Sequence, residues 1–532
     1  MDQDLKATYD RLLKIRERDE LSLKPARYLR QMIRGRDGSL VPLQLRTYQV
    51  QMVVHLLSMK RFIVGDDTGL GKTVETIAAM CHLWEREPDR KVFVITKKSS
   101  APQWEDEIIR FTEGVQVFVA KGSPSQRSKA QELWQSAEGP AVLIESYQSA
   151  AQDFTNLQNL EGFVLVLDEA TMFKSPSARI HKVCGYLSGR SDRTWGLTAT
   201  LIKNSLIEGY GIYRVVVPDL FRMTPSAFIN NFCIVRMQRV ANGRQVPMVV
   251  GYRDQDVRRF RDLIDPFYLG RPKHSVASEL PVLTTRDVKI GLTQEQAAKY
   301  REALEGLLEV GSGEEKETTQ LTAITYCQEI VNHLGLIGFD NSESEKLDAL
   351  LELVTDGGDL EGEKVIVFTR FAKMVDIAVT ALEKAGVRCT RVTGSEDENA
   401  RRAAMKTFQD LNSETKVIFI TMAGGDAINL QAAKALVFYD TPWSAGDYLQ
   451  ILGRMIRIGS DHDKVYAIHL LCKDTVDERV QEVLKKKMGL VEAVLGQRLK
   501  GEGNSALVYE ASNEVKDLFS ALQQDAWKGG KK

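Results

Sequence analysis

No two of the six cysteines (Cys81, Cys184, Cys233, Cys327, Cys389 and Cys472) stand at CxxC spacing. That argues against both a zinc cluster and a disulfide framework, and suits free thiols in a reducing interior. No apolar run approaches a membrane span, and the opening MDQDLKATYDRLLK lacks a signal peptide's hydrophobic region. An intracellular, soluble chain is the expectation. Charge of one sign is also missing, since 71 Lys and Arg face 72 Asp and Glu for a net charge of -1. Any contact with a polyanion must therefore use a local basic stripe. At 532 residues, with ordinary hydrophobic and charged content, the chain is far longer than one usual domain and implies two large lobes with additions.

What the sequence does have is the stretch IVGDDTGLGKTVETIAAM, residues 63 to 80, which reads as strand, glycine-punctuated loop and helix. Gly69 and Gly71 let the backbone turn its N–H groups toward phosphate oxygens, with the positive end of the next helix behind them. Lys72 is placed to reach β and γ phosphates and Thr73 to hold Mg²⁺, so Asp66, Thr68, Gly69, Leu70, Gly71, Lys72 and Thr73 form a candidate ATP cradle. Asp66 stands where the strict GxxxxGK[ST] pattern has its first Gly. The alternative is a glycine-rich turn with a surface Lys, which the apolar FIV before it and the helical ETIAAM after it oppose.

Before the loop, Lys24, Arg27, Arg30 and Arg34 recur at a spacing that would share one helix face, either solvated or lying along a phosphate backbone. Gln49 offers the donor and acceptor needed to read an adenine edge, or is a surface residue. After the loop, KVFVITKKS (91–99) and AVLIESYQS (141–149) read as buried strands, and FVLVLDEAT (163–171) delivers Asp168 and Glu169 at a strand's carboxyl end. Asp168 would join the Mg²⁺ shell and Glu169 would orient or deprotonate the attacking water. Thr198 and Thr200 could relay a change at the γ phosphate or only satisfy the strand end.

From about residue 205 to 345 helical patterns dominate, with GSGEEKETTQ (311–320) as an exposed loop. Alternation restarts at EKVIVFTRF (363–371), VRCTRVTGS (387–395), TKVIFITMAGG (415–425) and AKALVFYD (433–440), implying a second parallel lobe with no phosphate loop of its own. Arg454 and Arg457, three apart in YLQILGRMIRIGS, are placed to stabilise charge on a transferring phosphate, which arginine fingers do to the extent of roughly 10³ to 10⁵ in rate. On an isolated helix the same pair would be surface decoration.

LRTYQ, DDTGLGKT, LDEAT, LTATLIKN, KVIVFTRF, TMAGGDAINLQAA and QILGRMIRIG together resemble, in order, the motifs of superfamily 2 helicases. APQWEDEI, FKSPSA, RPKHSVASELP, DTPWS and TVDERVQEVLKKK resemble more closely the Swi/Snf group of ATP-driven DNA translocases, over roughly residues 41 to 495. The resemblance implies Gln49 at adenine, Gly424, Gly425 and Gln450 coupling the lobes to nucleotide and DNA, and Ser146, Tyr147, Thr421 and Trp443 near a DNA strand. Thr171, Leu201, Asp426-Ala427, Ile456 and Ser460 depart from the group's usual residues, and none removes a phosphate-contacting group.

The expected fold is α/β, two RecA-like parallel-sheet lobes in tandem with a helical insert: an N-terminal helical extension (1–40), lobe 1 (41–290, protruding from about 205), protrusion and linker (291–345), lobe 2 (346–495) and a tail with a short helix (496–532). The expected activity is Mg²⁺- and ATP-dependent translocation on double-stranded DNA, by a monomer of compact bacterial or bacteriophage type, cytoplasmic and nucleoid-associated when on DNA. The rivals are a strand-separating DNA or RNA helicase and an ATP-gated scaffold that recruits a repair or nuclease partner.

Overall fold

The apolar runs bounded by polar turns fold as parallel strands. The computed structural model describes the chain apart from residues 1–2, 35–38, 203, 240–244, 277–280, 306–319, 341, 424–427, 457–459, 461, 496–508 and 511–532. Its described residues form two units, one drawn from 1–235, 252–278 and 493–507, the other from 236–251, 279–492 and 508–532. Among them, no helix is long and apolar enough to cross a membrane.

The first unit contains β1 (Arg61–Val64), β2 (Lys91–Thr96), β3 (Gln116–Ala120), β4 (Ala141–Ser146), β5 (Val164–Asp168), β6 (Arg193–Leu197) and β7 (Tyr268–Leu269). They lie in the order β7-β1-β6-β5-β2-β4-β3, every neighbouring pair parallel. Phe62, Val94, Ile144, Val166 and Trp195 are fully buried, as a sheet covered on both faces requires. Each such burial contributes about 1.5–3 kcal/mol. Helices α1 (Gln3–Arg16) and α2 (Thr47–Ser58) precede β1, and α3 (Lys72–Trp84) follows it.

Lys24, Arg27, Arg30 and Arg34 do not share a helix face. The first helix stops at Arg16, and Met32–Arg34 instead pairs antiparallel with Leu40–Pro42. Pro25, inside the supposed helix, removes an N–H donor and disfavours helical backbone before it.

The second unit contains β8 (Val282–Ile290), β9 (Val365–Phe368), β10 (Cys389–Val392), β11 (Val417–Ile420), β12 (Ala435–Phe438) and β13 (Lys464–Cys472), ordered β8-β13-β12-β9-β11-β10 and all parallel. The boundary expected at residue 290 is displaced. VLTTRDVKI pairs over its full length with β13, as an edge strand whose alternating polar residues suit partial exposure. The stretch read as a helical insert also supplies β7 to the first sheet, beside the helices Leu206–Val216, Pro225–Phe232 and Asp254–Ile264. Most of the loop expected at 311–320 and nearly all of the tail lie outside the described residues.

Candidate nucleotide-binding and hydrolysis site

Val64, Leu197 and Asp168 are consecutive register partners across β1, β6 and β5. The loop after β1, the Thr198–Thr200 segment and the Asp168–Glu169 pair therefore leave one edge of one sheet. It is the carboxyl edge, where ligands gather in parallel α/β folds.

Gly69 and Gly71 have φ of 88° and 96°, a left-handed backbone that side chains resist. Gly71 is the N-cap of α3, and a Cβ there would lie 2.6 Å from Gln49 Nε2. The unpaired N–H groups of the first turn of α3 thus open onto the edge with the helix's positive end behind them. Leu70 is buried and anchors the loop, its carbonyl accepting from the Tyr48 hydroxyl at 2.9 Å and from Gln49 Nε2 at 3.1 Å. Lys72 lies inside the curl, its Nζ donating to the carbonyls of Asp66 (2.6 Å) and Asp67 (3.2 Å).

Two cradle residues sit differently from the expectation. Asp66 is fully buried and its carboxylate is held by Arg271, so it shapes the loop from beneath and is not presented to a ligand. Gln49 uses its amide within the chain, since Oε1 accepts from Arg46 N at 3.0 Å while Nε2 holds the loop.

Asp168 Oδ2 accepts from Thr96 Oγ1 at 2.7 Å and from Trp104 Nε1 at 2.9 Å. Burial raises its pKa, and these two donors oppose the rise, joined by the nearby positive charge of Lys72. Neither donor engages Oδ1. Asp168 and Thr73, both leaving the same sheet edge, carry hard oxygen donors of the kind that suit Mg²⁺. Glu169 has φ 56° and ψ 63°, a left-handed backbone rare for glutamate, and its Oε1 accepts from Thr171 Oγ1 at 2.9 Å. Such strain concentrates at functional sites. Thr198 Oγ1 is engaged with the backbone of Thr200, the plainer of its two readings.

Tyr147 corrects a second expectation. Its side chain is buried and its hydroxyl donates to Asp168 O at 2.6 Å, so it braces the acidic pair from below and offers nothing to a nucleic-acid strand. Ser146 is buried too, capping the following short helix through Ser149 N. Trp104 and Tyr147 both support Asp168, and their roles depend on pairings no local pattern reveals.

In the second unit, α4 (Ala445–Met455) carries Gln450 and Arg454, the latter buried. Arg457, Gly424 and Gly425 lie outside the described residues. Thr421 is buried just past β11, which does not suit a direct strand contact. Trp443 is half-buried with the Arg370 guanidinium 5.8 Å from its ring centroid. Arg370 was not singled out in the sequence, although FTRF contains it. Its N–H donates to both oxygens of Asp440, which also accepts from Thr369 Oγ1 (2.6 Å) and Asn332 Nδ2 (3.2 Å). Below, buried Lys346 joins Asn332 Oδ1 (3.0 Å) to Asp477 Oδ2 (2.6 Å). This network fixes the turn that presents Arg370 beside Trp443.

A phosphate-type loop and an acidic strand end on one parallel-sheet edge, followed in the same chain by a second parallel sheet, define a P-loop protein of tandem α/β construction. The SNF2-related domain matches residues 47–336 and the helicase conserved C-terminal domain residues 345–459, and the chain belongs to the SNF2-related family. It is 29% identical over 477 residues to the mouse (Mus musculus) Chromodomain-helicase-DNA-binding protein 1-like, covering 86% of this chain and 50% of that protein. It is 26% identical to the Saccharomyces cerevisiae ISWI chromatin-remodeling complex ATPase ISW1, covering 90% and 44%, and 26% identical to the Arabidopsis thaliana ATP-dependent DNA helicase DDM1, covering 91% and 66%. The chain thus spans about half the length of the first two. Among solved structures, the Sulfolobus solfataricus SWI2/SNF2 ATPase core in complex with dsDNA is 23% identical, with a TM-score of 0.42, covering 90% of this chain and 96% of that one.

Proposed function

We propose that this chain is a motor that hydrolyses ATP to ADP and phosphate, is stimulated by double-stranded DNA and moves along the duplex. The observation that carries the proposal is the convergence of Lys72, Thr73, Asp168 and Glu169 on one sheet edge in a chain of the SNF2-related family. Lys72 and the N–H groups of the first turn of α3 bind the phosphates, Thr73 and Asp168 hold Mg²⁺, and Glu169 orients the attacking water and takes its proton. Mg²⁺, when bound, neutralises charge on the phosphates. Gln49 exchanges its loop contact for adenine. Arg370 and Trp443 give the second unit a cation and an aromatic face for a DNA backbone, contacts that carry little sequence information.

The names of the relatives, a chromatin-remodeling ATPase and a DNA helicase among them, support a DNA substrate. The finer reading is a compact bacterial or bacteriophage member that works as a monomer, cytoplasmic and on the nucleoid.

Displacement of a triplex-forming strand from duplex DNA tests translocation. ATP-dependent displacement is expected. Separation of a forked duplex without triplex displacement would replace the translocase with a strand-separating helicase.

A further inference from the structure

Asp66 places a fully buried carboxylate in a phosphate loop, in the same residue whose backbone carbonyl receives the lysine the phosphates need. Arg271, 205 residues further along the chain, holds it: Nε donates to Oδ1 at 3.0 Å, a terminal nitrogen to Oδ2 at 2.5 Å, and the Arg271 backbone N–H to Oδ1 at 3.0 Å. The other terminal nitrogen donates to Tyr48 O (2.6 Å) and Gln51 Oε1 (3.1 Å), and the guanidinium lies 5.2 Å from the Tyr48 ring centroid. Arg271 O accepts from Asp67 N at 3.1 Å. One residue therefore ties the start of the loop to α2, whose Tyr48 and Gln49 hold the loop's middle at Leu70. A second carboxyl, Glu75, is also fully buried here, and burial followed by the Asp66 charge raises its pKa well above the usual range. Lys72 meanwhile rests on the carbonyls of Asp66 and Asp67 and not on the Asp66 carboxylate.

We propose that Arg271 is a positioning residue that neutralises Asp66 and so keeps Lys72 available to nucleotide phosphates. Without it, the Asp66 carboxylate is left buried and unpaired in a residue whose backbone carbonyl already receives the Lys72 ammonium at 2.6 Å, and a lysine drawn onto that carboxylate is lost to the ligand. The inference rests on reading this loop as an ATP site.

The test is ATP affinity, with kcat and KM beside it, in the full chain and in Arg271→Gln, Arg271→Lys, Asp66→Asn and the double variant Asp66→Asn/Arg271→Gln, each checked for folding by thermal melting. Arg271→Gln is expected to weaken ATP binding by about tenfold or more, within the coupling range of contacting residues. Its KM should suffer more than its kcat. Removing the Asp66 charge as well should restore most of the affinity, which a purely structural brace would not do, and Arg271→Lys should fall between. A double variant as weak as Arg271→Gln, or an Arg271→Gln protein that binds ATP normally, overturns the inference. If Arg271→Gln does not fold, the double variant decides: it should fold and bind ATP, and failure to bind sinks the idea. Lys72→Ala separates the two layers, because normal ATP affinity in that variant would refute the site itself.

Discussion

Thr171 Oγ1 donates to Glu169 Oε1 at 2.9 Å, steadying a carboxylate whose backbone is held at φ 56°. Thr171 departs from the residue usual in the Swi/Snf group, and this bond gives the departure a role. Thr171→Val should leave ATP affinity near normal and lower kcat by about tenfold or more, the loss of one hydrogen bond to a charged group. Glu169→Gln should lower kcat far more while ATP stays bound. Rapid-quench turnover beside equilibrium binding checks both, and a loss of affinity without a loss of kcat would contradict the roles.

The left-handed backbone at Glu169 costs stability, on the order of 1 kcal/mol for a non-glycine residue. Glu169→Gly should therefore raise the melting temperature while removing turnover, an opposition between stability and function. An inactive variant that melts lower would show that the site carries no such strain.

Arg370, exposed and beside Trp443, should contact a DNA phosphate. Arg370→Ala should weaken duplex binding similarly across sequences and reduce the slope of log affinity against log salt by about 1. An unchanged slope would remove Arg370 from the interface.

Glu145 is buried in the first unit, with Gln131 Nε2 donating to its Oε2 at 3.1 Å and Arg127 pairing with neighbouring Asp153 at 2.6 Å. Burial, the largest cause, pushes its pKa up from the ordinary 4.5 to about 8. Between those values the native state keeps a proton that the unfolded chain releases. Stability therefore falls as pH rises through that window, by up to about 1.4 kcal/mol per pH unit for this group, and levels off above it. Glu145→Gln, which does not titrate, should gain stability relative to the parent protein on going from pH 5 to pH 8. Parallel melting curves across that range, about 3 pH units, would contradict the assignment.

The loop at 63 to 80 and the strand ending in Asp168-Glu169 were legible because their chemistry is local: glycines where φ must be positive, and acids directly after an apolar run. The Asp66–Arg271 pair was not, since its partners are remote in sequence and Asp66, read alone, belongs to the phosphate cradle. Tyr147 was misread for a related reason, because a strand-end tyrosine looks the same whether it faces a ligand or braces the next strand through Asp168 O. The β8 boundary was missed because its polar alternation belongs to a sheet edge, which resembles a linker until its partner β13 is known.

The most direct measurement is the steady-state ATPase rate with no nucleic acid, duplex DNA, single-stranded DNA or RNA, each at low and high salt. Strong stimulation by duplex DNA, lost at high salt as phosphate contacts are screened, is the predicted result. Equal rates under all conditions, or stimulation indifferent to salt, would contradict a duplex-driven motor.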